Sequence, residues 1–223
     1  MSSNLIPRSI TKQQRFLGRL RARYELWVEA RFDRRYGIDT GGIHDDLRAF
    51  GAEGEHSALA YGYEGVQPGV FRAMVRAAAI APGGFDCVDF GSGKARALVL
   101  AAECGFRRVI GVELAPRLHE VAVRNVEAFR AVRPNAPPIE LHCGDAVDLP
   151  LPAGDLMLFF FNPFGAAVLQ KVAGNIARAL RERSRRIVIA YRNPLHAEVF
   201  DQLAHFVPVV RNQSFALYRS TAS

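Results

Sequence analysis

The sequence predicts an α/β fold. A mostly parallel sheet carries helices on both faces, an antiparallel hairpin closes its C-terminal edge, and a helical extension precedes it. Three observations carry this expectation. From residue 85 onward, apolar runs of strand length alternate with amphipathic stretches at helical spacing, the pattern of successive βαβ units. The alternation breaks near the end, where two strand-like runs, 206–210 and 215–218, are joined only by Arg211-Asn212-Gln213-Ser214. So short a link makes a hairpin and cannot make a parallel crossover. Residues 1–36 differ from the rest in their charge and read as one basic amphipathic helix.

The N-terminal stretch holds nine Lys/Arg (Arg8, Lys12, Arg15, Arg19, Arg21, Arg23, Arg31, Arg34, Arg35) against Glu25, Glu29 and Asp33. Phe16, Leu17, Leu20, Tyr24, Trp27 and Val28 recur at helical spacing, so a helix starts near Thr11, and the apolar stripe ends at Arg31. The leading expectation is that this stripe packs on the domain and the arginines stay in water. The same features suit a surface for anionic lipid or nucleic acid, and the lack of acidic residues before Glu25 suits a targeting presequence.

Residues 37–67 read as loop, punctuated by Gly37, Gly41, Gly42, Gly51, Gly54, Gly62 and Gly65, with Asp39, Asp45 and Asp46 between them. A loop of that length in a compact domain is a lid or a binding element. A helix over 69–81 follows, with Phe71, Met74, Val75 and Ala78 on one face. Then come a strand at 85–90, a helix at 95–104, a strand at 108–113 and a helix at 116–132. A turn with Pro134, Pro137 and Pro138 leads to a strand at 139–142; a strand at 156–161, a helix at 165–181 and a strand at 186–191 precede the hairpin. The division this suggests is 1–56, basic helix and lid-like loop, and 57–223, the sheet domain.

Bulk properties bound the possibilities. Hydrophobic residues make up 49% and charged residues 23%, enough for a full core. No run of 18 apolar residues occurs, so no membrane-spanning helix is expected. Cys87, Cys104 and Cys143 are odd in number and match no zinc spacing; Cys87, in a strand, and Cys104, late in a helix, read as reduced core residues of a reducing cytoplasm. The net charge of +7 permits an anionic partner without establishing one.

The chemistry concentrates in Asp89-Phe90-Gly91-Ser92-Gly93-Lys94-Ala95-Arg96, a strand end, a glycine turn and a helix start. Such a turn brings backbone close to a ligand at the strand's C-terminal end. Gly93-Lys94 fails as a phosphate-binding P-loop, which needs a Gly at position 88 and Ser or Thr at 95; Val88 and Ala95 stand there. The dinucleotide pattern G-x-G-x-x-G meets Arg96 at its third glycine, and it asks for no acid two places before the first. Twenty residues on, Glu113 ends the second strand, where a carboxylate suits a ribose diol.

Asp89-Phe90-Gly91-Ser92-Gly93 resembles the first motif of the class I S-adenosylmethionine-dependent methyltransferases, an acidic residue followed by x-Gly-x-Gly-x-Gly, with Ala95 at the last glycine. The resemblance spans about residues 60–218 and includes the terminal hairpin. It implies a three-layer Rossmann-like fold with a seven-stranded sheet, and S-adenosylmethionine as cofactor, with S-adenosylhomocysteine as product. By the same resemblance, Asp89 lies near the methionine amino group, Gly91 and Gly93 underlie the methionine and ribose, and Glu113 takes the ribose hydroxyls. Leu114 packs on the adenine, which Asp145 and the Ala146 backbone bind in Cys143-Gly144-Asp145-Ala146. Asp145 also reads as a plain turn cap.

Asn162-Pro163-Phe164 closes the fourth strand. It resembles the Asn/Asp-Pro-Pro-Tyr/Phe motif of the family's amino-methylating members, with one proline missing, and so suggests a nitrogen acceptor; Asn and Pro also start turns on their own. Tyr63, in the glycine-rich loop, is the expected lid residue over the cofactor. Some histone-lysine methyltransferases with a similar glycine motif use such a loop. His196 and Tyr191, after the fifth strand, are secondary candidates. The resemblance implies transfer to a nitrogen of a protein side chain or small amine, with a tRNA or rRNA methyltransferase, or a non-catalytic binding protein of the same fold, as alternatives. No metal is expected.

Overall fold

The computed structural model describes residues 12–221, with backbone alone for 12–19, 21 and 22. Its elements in order are α1 (Lys12–Tyr36), β1 (Ile43–His44), β2 (Tyr63–Glu64), α2 (Pro68–Ala77), β3 (Asp86–Phe90), α3 (Arg96–Glu103), β4 (Arg108–Glu113), α4 (Pro116–Val132), β5 (Ile139–Cys143), β6 (Leu156–Phe161), α5 (Ala166–Glu182), β7 (Ile187–Arg192), α6 (Ala197–Asp201), β8 (Phe206–Arg211) and β9 (Phe215–Ser220). The main sheet has seven strands in the order β5-β4-β3-β6-β7-β9-β8. Strands β3 to β7 pair in parallel, and β9 runs antiparallel to both β7 and β8. The expected α/β class, the parallel core and the edge hairpin are all present.

The central strands read as unbroken apolar runs because both their faces are covered. In β6, Met157 and Phe159 enter the layer under α2, α3 and α4, while Leu156, Leu158 and Phe160 enter the layer under α5. That alternation is the period of two of an extended chain. Pro68 and Pro116 sit in the first turns of α2 and α4, where a missing N–H costs nothing. The strand order reverses between β3 and β6, so a crevice opens outside the carboxyl ends of these strands.

Two expectations need correction. Residues 37–67 are more than loop: β1 and β2 pair antiparallel, His44 opposite Tyr63, and short 3-10 turns at Leu47–Phe50 and Ser57–Leu59 lie in the connection between them. Two-residue strands are too short to show any alternation in sequence. Gly62 is needed there, since a Cβ would lie 2.3 Å from the His44 carbonyl oxygen.

The second correction concerns α1. Its apolar contact does not end at Arg31; the helix runs to Tyr36, and among its described side chains Phe32 and Tyr36 are the buried ones. Tyr36 packs edge-on against Phe129 and donates its hydroxyl to Glu103. Leu20, Tyr24 and Trp27 of the expected stripe face solvent. The stripe's period was right but its orientation was reversed, because the anchors lie beyond Arg31. The Phe16 and Leu17 side chains, and the helix start expected near Thr11, lie outside the described residues.

Candidate active site

The glycine turn after β3 is built from left-handed backbone. Gly91, Gly93 and Ala95 have φ of 82°, 52° and 73°. The first two cost little; Ala95 costs about 1–2 kcal/mol. Gly91 and Ser92 both donate their N–H to the Val112 carbonyl, at 3.0 and 2.9 Å, which ties the turn to β4. A Cβ on Gly91 would lie 2.6 Å from Pro163, and one on Gly93 would lie 2.2 Å from the Tyr63 ring. The absent side chains therefore let Pro163 and Tyr63 close onto the turn. Tyr63 is buried and donates to the Thr40 carbonyl at 2.7 Å.

Glu113, at the end of β4, is also buried. It accepts from the Gly93 N–H at 2.7 Å and from the Ala115 N–H at 2.9 Å, clamping the turn to the start of α4. Burial raises its pKa, and these backbone donors oppose the rise.

Asp89 is buried on β3, and among the described residues no group donates to its carboxylate. Burial, and then the charge of Glu113, push its pKa up to about 8. Arg96, the first residue of α3, is 2% exposed. Its Nε donates to Thr40 Oγ1 at 2.7 Å, and its Nη1 lies 2.9 Å from Glu29 Oε2 and 3.3 Å from the Gly65 carbonyl. Its Nη2 is buried with no partner among the described residues. Gly65 makes room for this guanidinium, since a Cβ would sit 2.6 Å from Arg96 Cζ. Asp89 and Arg96 share a small cavity of about 260 Å³ with Glu64, Ser92 and Phe161.

That cavity adjoins a cleft of about 640 Å³ lined by Glu113, Leu114, Asp145, Ala146, Pro163 and Phe164, among others. Tyr63, Glu64, Gly91 and Phe161 line both spaces. Of the residues expected from the sequence to hold a cofactor, Tyr63, Asp89, Gly91, Glu113, Leu114, Asp145 and Ala146 line these two spaces at the strand-order reversal, and Gly93 does not. Asp145 is a turn cap, its Oδ1 accepting from the Val147 N–H at 2.9 Å, and its other oxygen lies 2.5 Å from His56 Nδ1. Lys171 Nζ stands 2.8 Å from His56 Nε2, which fits a neutral His56 carrying its proton on Nδ1.

On the acceptor side, Asn162 is held in left-handed backbone (φ 43°), and its Oδ1 accepts from the Tyr191 hydroxyl at 3.2 Å. The Pro163 carbonyl accepts from the Tyr61 N–H at 3.0 Å, Gly165 donates to Leu59, and Ala60 bridges Phe164. These bonds strap the lid segment to the loop after β6. Phe164 is buried edge-on to Phe160. Of the three expected acceptor residues, Asn162 shows no acceptor for its amide NH₂ among the described residues, while Pro163 and Phe164 serve the lid junction. His196 lies beside them: its Nε2 is 3.1 Å from the Tyr61 hydroxyl and its Nδ1 is 3.5 Å from Glu198. Tyr191 is buried, which pushes its pKa up to about 12.

Two residues escaped the sequence reading. Arg96 entered only as a misfit to the dinucleotide pattern; its place at the first position of α3, directly after the glycine turn, was a usable signal. His56 carried none, because only the folded lid brings it to Asp145.

Residues 87–183 match the family model described as a methyltransferase domain. No curated protein matches the chain. Solved structures do. A candidate RNA methyltransferase from Pyrococcus horikoshii aligns with a TM-score of 0.51 at 14% identity, over 79% of this chain and 96% of that one. A predicted N6-adenine-specific DNA methylase from Listeria monocytogenes aligns at 0.50 and 14%, over 71% and 52%. An RNA methyltransferase from Salinibacter ruber, in complex with S-adenosylhomocysteine, aligns at 0.48 and 21%, over 69% and 90%. At such identities the likeness to the first two structures establishes the fold alone, and the family model names the domain over residues 87–183. Residues 87–183 thus carry a methyltransferase domain, set in a seven-stranded, Rossmann-like sheet of the kind found in S-adenosylmethionine-dependent methyltransferases.

Proposed function

We propose that this enzyme methylates a nitrogen, of a protein side chain or a small amine, at the crevice formed by Asn162, Tyr61, Tyr191 and His196. When bound, S-adenosylmethionine supplies a methyl group already activated by its sulfonium. The residues present fit that cofactor. Asp89, once it has lost its proton, and the Nη2 of Arg96, unpartnered among the described residues, share one cavity and complement an amino-acid ammonium and carboxylate. Glu113 stands at the next position along the crevice, where ribose hydroxyls would donate to it. Asp145 and Ala146 stand beyond it, on the adenine side. Tyr63 and the strapped segment 59–61 exclude water from the turn.

The observation that carries the nitrogen reading is Asn162. Its strand-end position and its bond to Tyr191 leave the carboxamide fixed in orientation, so it can align an acceptor. An attacking amine must be neutral, and the proton lost needs an acceptor. The Tyr61–His196–Glu198 chain of contacts supplies one next to Asn162. A base nitrogen of RNA is the second reading, and the exposed face of α1 favours it.

Asn162→Ala tests the proposal. S-adenosylhomocysteine affinity should stay within about twofold while turnover falls about 100-fold, the scale of a lost positioning contact. Turnover would be followed by mass spectrometry of methylated amine pools. Unchanged turnover, or methylation confined to oxygen or carbon acceptors, would overturn the nitrogen assignment.

A further inference from the structure

α1 presents one face to the domain and a chemically opposite face to water. With 3.6 residues per turn, Leu20, Arg23, Tyr24, Trp27, Arg31 and Arg34 fall on a single side, and all six are exposed. Tyr24 is 64% and Trp27 51% exposed, their rings stack 6.1 Å apart at 27°, and Arg31 Cζ lies 5.6 Å from the Trp27 ring centre. The carboxylates turn the other way. Glu29 pairs with buried Arg96, and Asp33 accepts from the Thr40 N–H and hydroxyl. The half-buried Glu25 lines the groove beneath.

We propose that this face binds single-stranded nucleic acid, bases stacking on Tyr24 and Trp27 and phosphates meeting Arg23, Arg31 and Arg34. The proposal goes beyond the acceptor reading above and does not depend on it. Exposed aromatics interleaved with cations are the recognition surface of single strands, because every base has a π-face and every linkage a charge. A helix that lies in a membrane interface keeps its arginines and its aromatics on opposite faces; here they share one. The chain's net charge of +7 adds long-range attraction for a polyanion. A groove of about 1050 Å³ leads from Tyr24 past Val28 and Gln67 to Arg192. The Arg192 guanidinium lies 5.3 Å from the Phe161 ring centre, so a strand held on α1 is led to the catalytic crevice.

Trp27 is the chain's single tryptophan and therefore the probe. Titrating the full-length protein with a 12-nucleotide oligouridylate at low salt should quench Trp27 fluorescence, and anisotropy of the labelled oligomer should give the same Kd. Tyr24→Ala and Trp27→Ala should each weaken binding about tenfold or more, the worth of one stacked base. The triple variant R23A/R31A/R34A should reduce the slope of log K against log salt by about 2, at about 0.7 per phosphate contact. Circular dichroism melts should match wild type, since none of these side chains is buried. Absence of binding, or affinity and salt slope unchanged in all three variants, would overturn the proposal. So would equal binding of duplex with no loss in the aromatic variants, or Trp27 quenching by anionic phosphatidylserine vesicles but not by the oligomer. Concentration-dependent dimerisation abolished by the aromatic variants would overturn it too. None of these readouts uses S-adenosylmethionine, so their failure is separate from failure of the nitrogen reading.

Discussion

Asp89 offers a prediction in which pH is the perturbation. Its carboxyl is buried without a donor, and its pKa is raised to about 8, against about 3.9 in an unfolded chain. Between those values the folded protein holds a proton that the unfolded chain has lost. This contribution to stability is therefore fully present below about pH 4 and is lost as pH rises toward 8. An ammonium placed against Asp89 reverses the preference and expels the proton. At pH 7 about 0.9 of the free enzyme carries it, so binding of S-adenosylhomocysteine should release close to one proton. Affinity should rise up to about tenfold per pH unit from 6 to 8 and level off above. Calorimetric titration in buffers of different ionisation enthalpy counts the proton directly, and Asp89→Asn should abolish both the release and the pH dependence. A binding enthalpy that does not change with buffer, or an undiminished release in Asp89→Asn, would refute the assignment of Asp89 to the ammonium.

Other residues of the crevice make their own predictions. Glu113→Gln keeps the shape but offers only one acceptor to the two N–H groups of Gly93 and Ala115. It should lower the melting temperature and weaken S-adenosylhomocysteine binding by about 1–3 kcal/mol, the cost of an unmet buried donor; unchanged affinity by calorimetry would contradict its role. Deleting residues 1–36 removes Phe32 and Tyr36 from the core and Glu29 from buried Arg96. The loss should be on the order of 5 kcal/mol, visible as a large fall in melting temperature, whereas a melt matching the full chain would mean that α1 is a mere appendage.

The sheet was readable in sequence because each central strand is an unbroken apolar run between amphipathic helices, and those two periods do not mimic one another. Asp89, Gly91, Gly93, Glu113 and Asp145 were readable because strand ends at a parallel sheet's carboxyl edge converge wherever the strand order reverses. The lid and the orientation of α1 were not. A two-residue strand such as β1 has no period to detect. On α1, the aromatics at 24 and 27 and those at 32 and 36 lie on different faces, and only the partners Phe129, Glu103 and Arg96 decide which face turns inward. The Arg96 cavity was hidden for a similar reason. Its walls come from residues far apart in the chain, Gly65, Asp89 and Phe161, whose meeting depends on the folded lid.

The central claim is that the Asp89–Arg96 cavity and the Glu113 cleft form one site for S-adenosylmethionine. A crystal structure with S-adenosylhomocysteine tests it most directly. The account predicts the amino-acid end between Asp89 and Arg96 Nη2, the ribose on Glu113, and the sulfur facing Asn162. A ligand whose amino-acid end lay elsewhere, with Arg96 Nη2 still unpartnered, would contradict it.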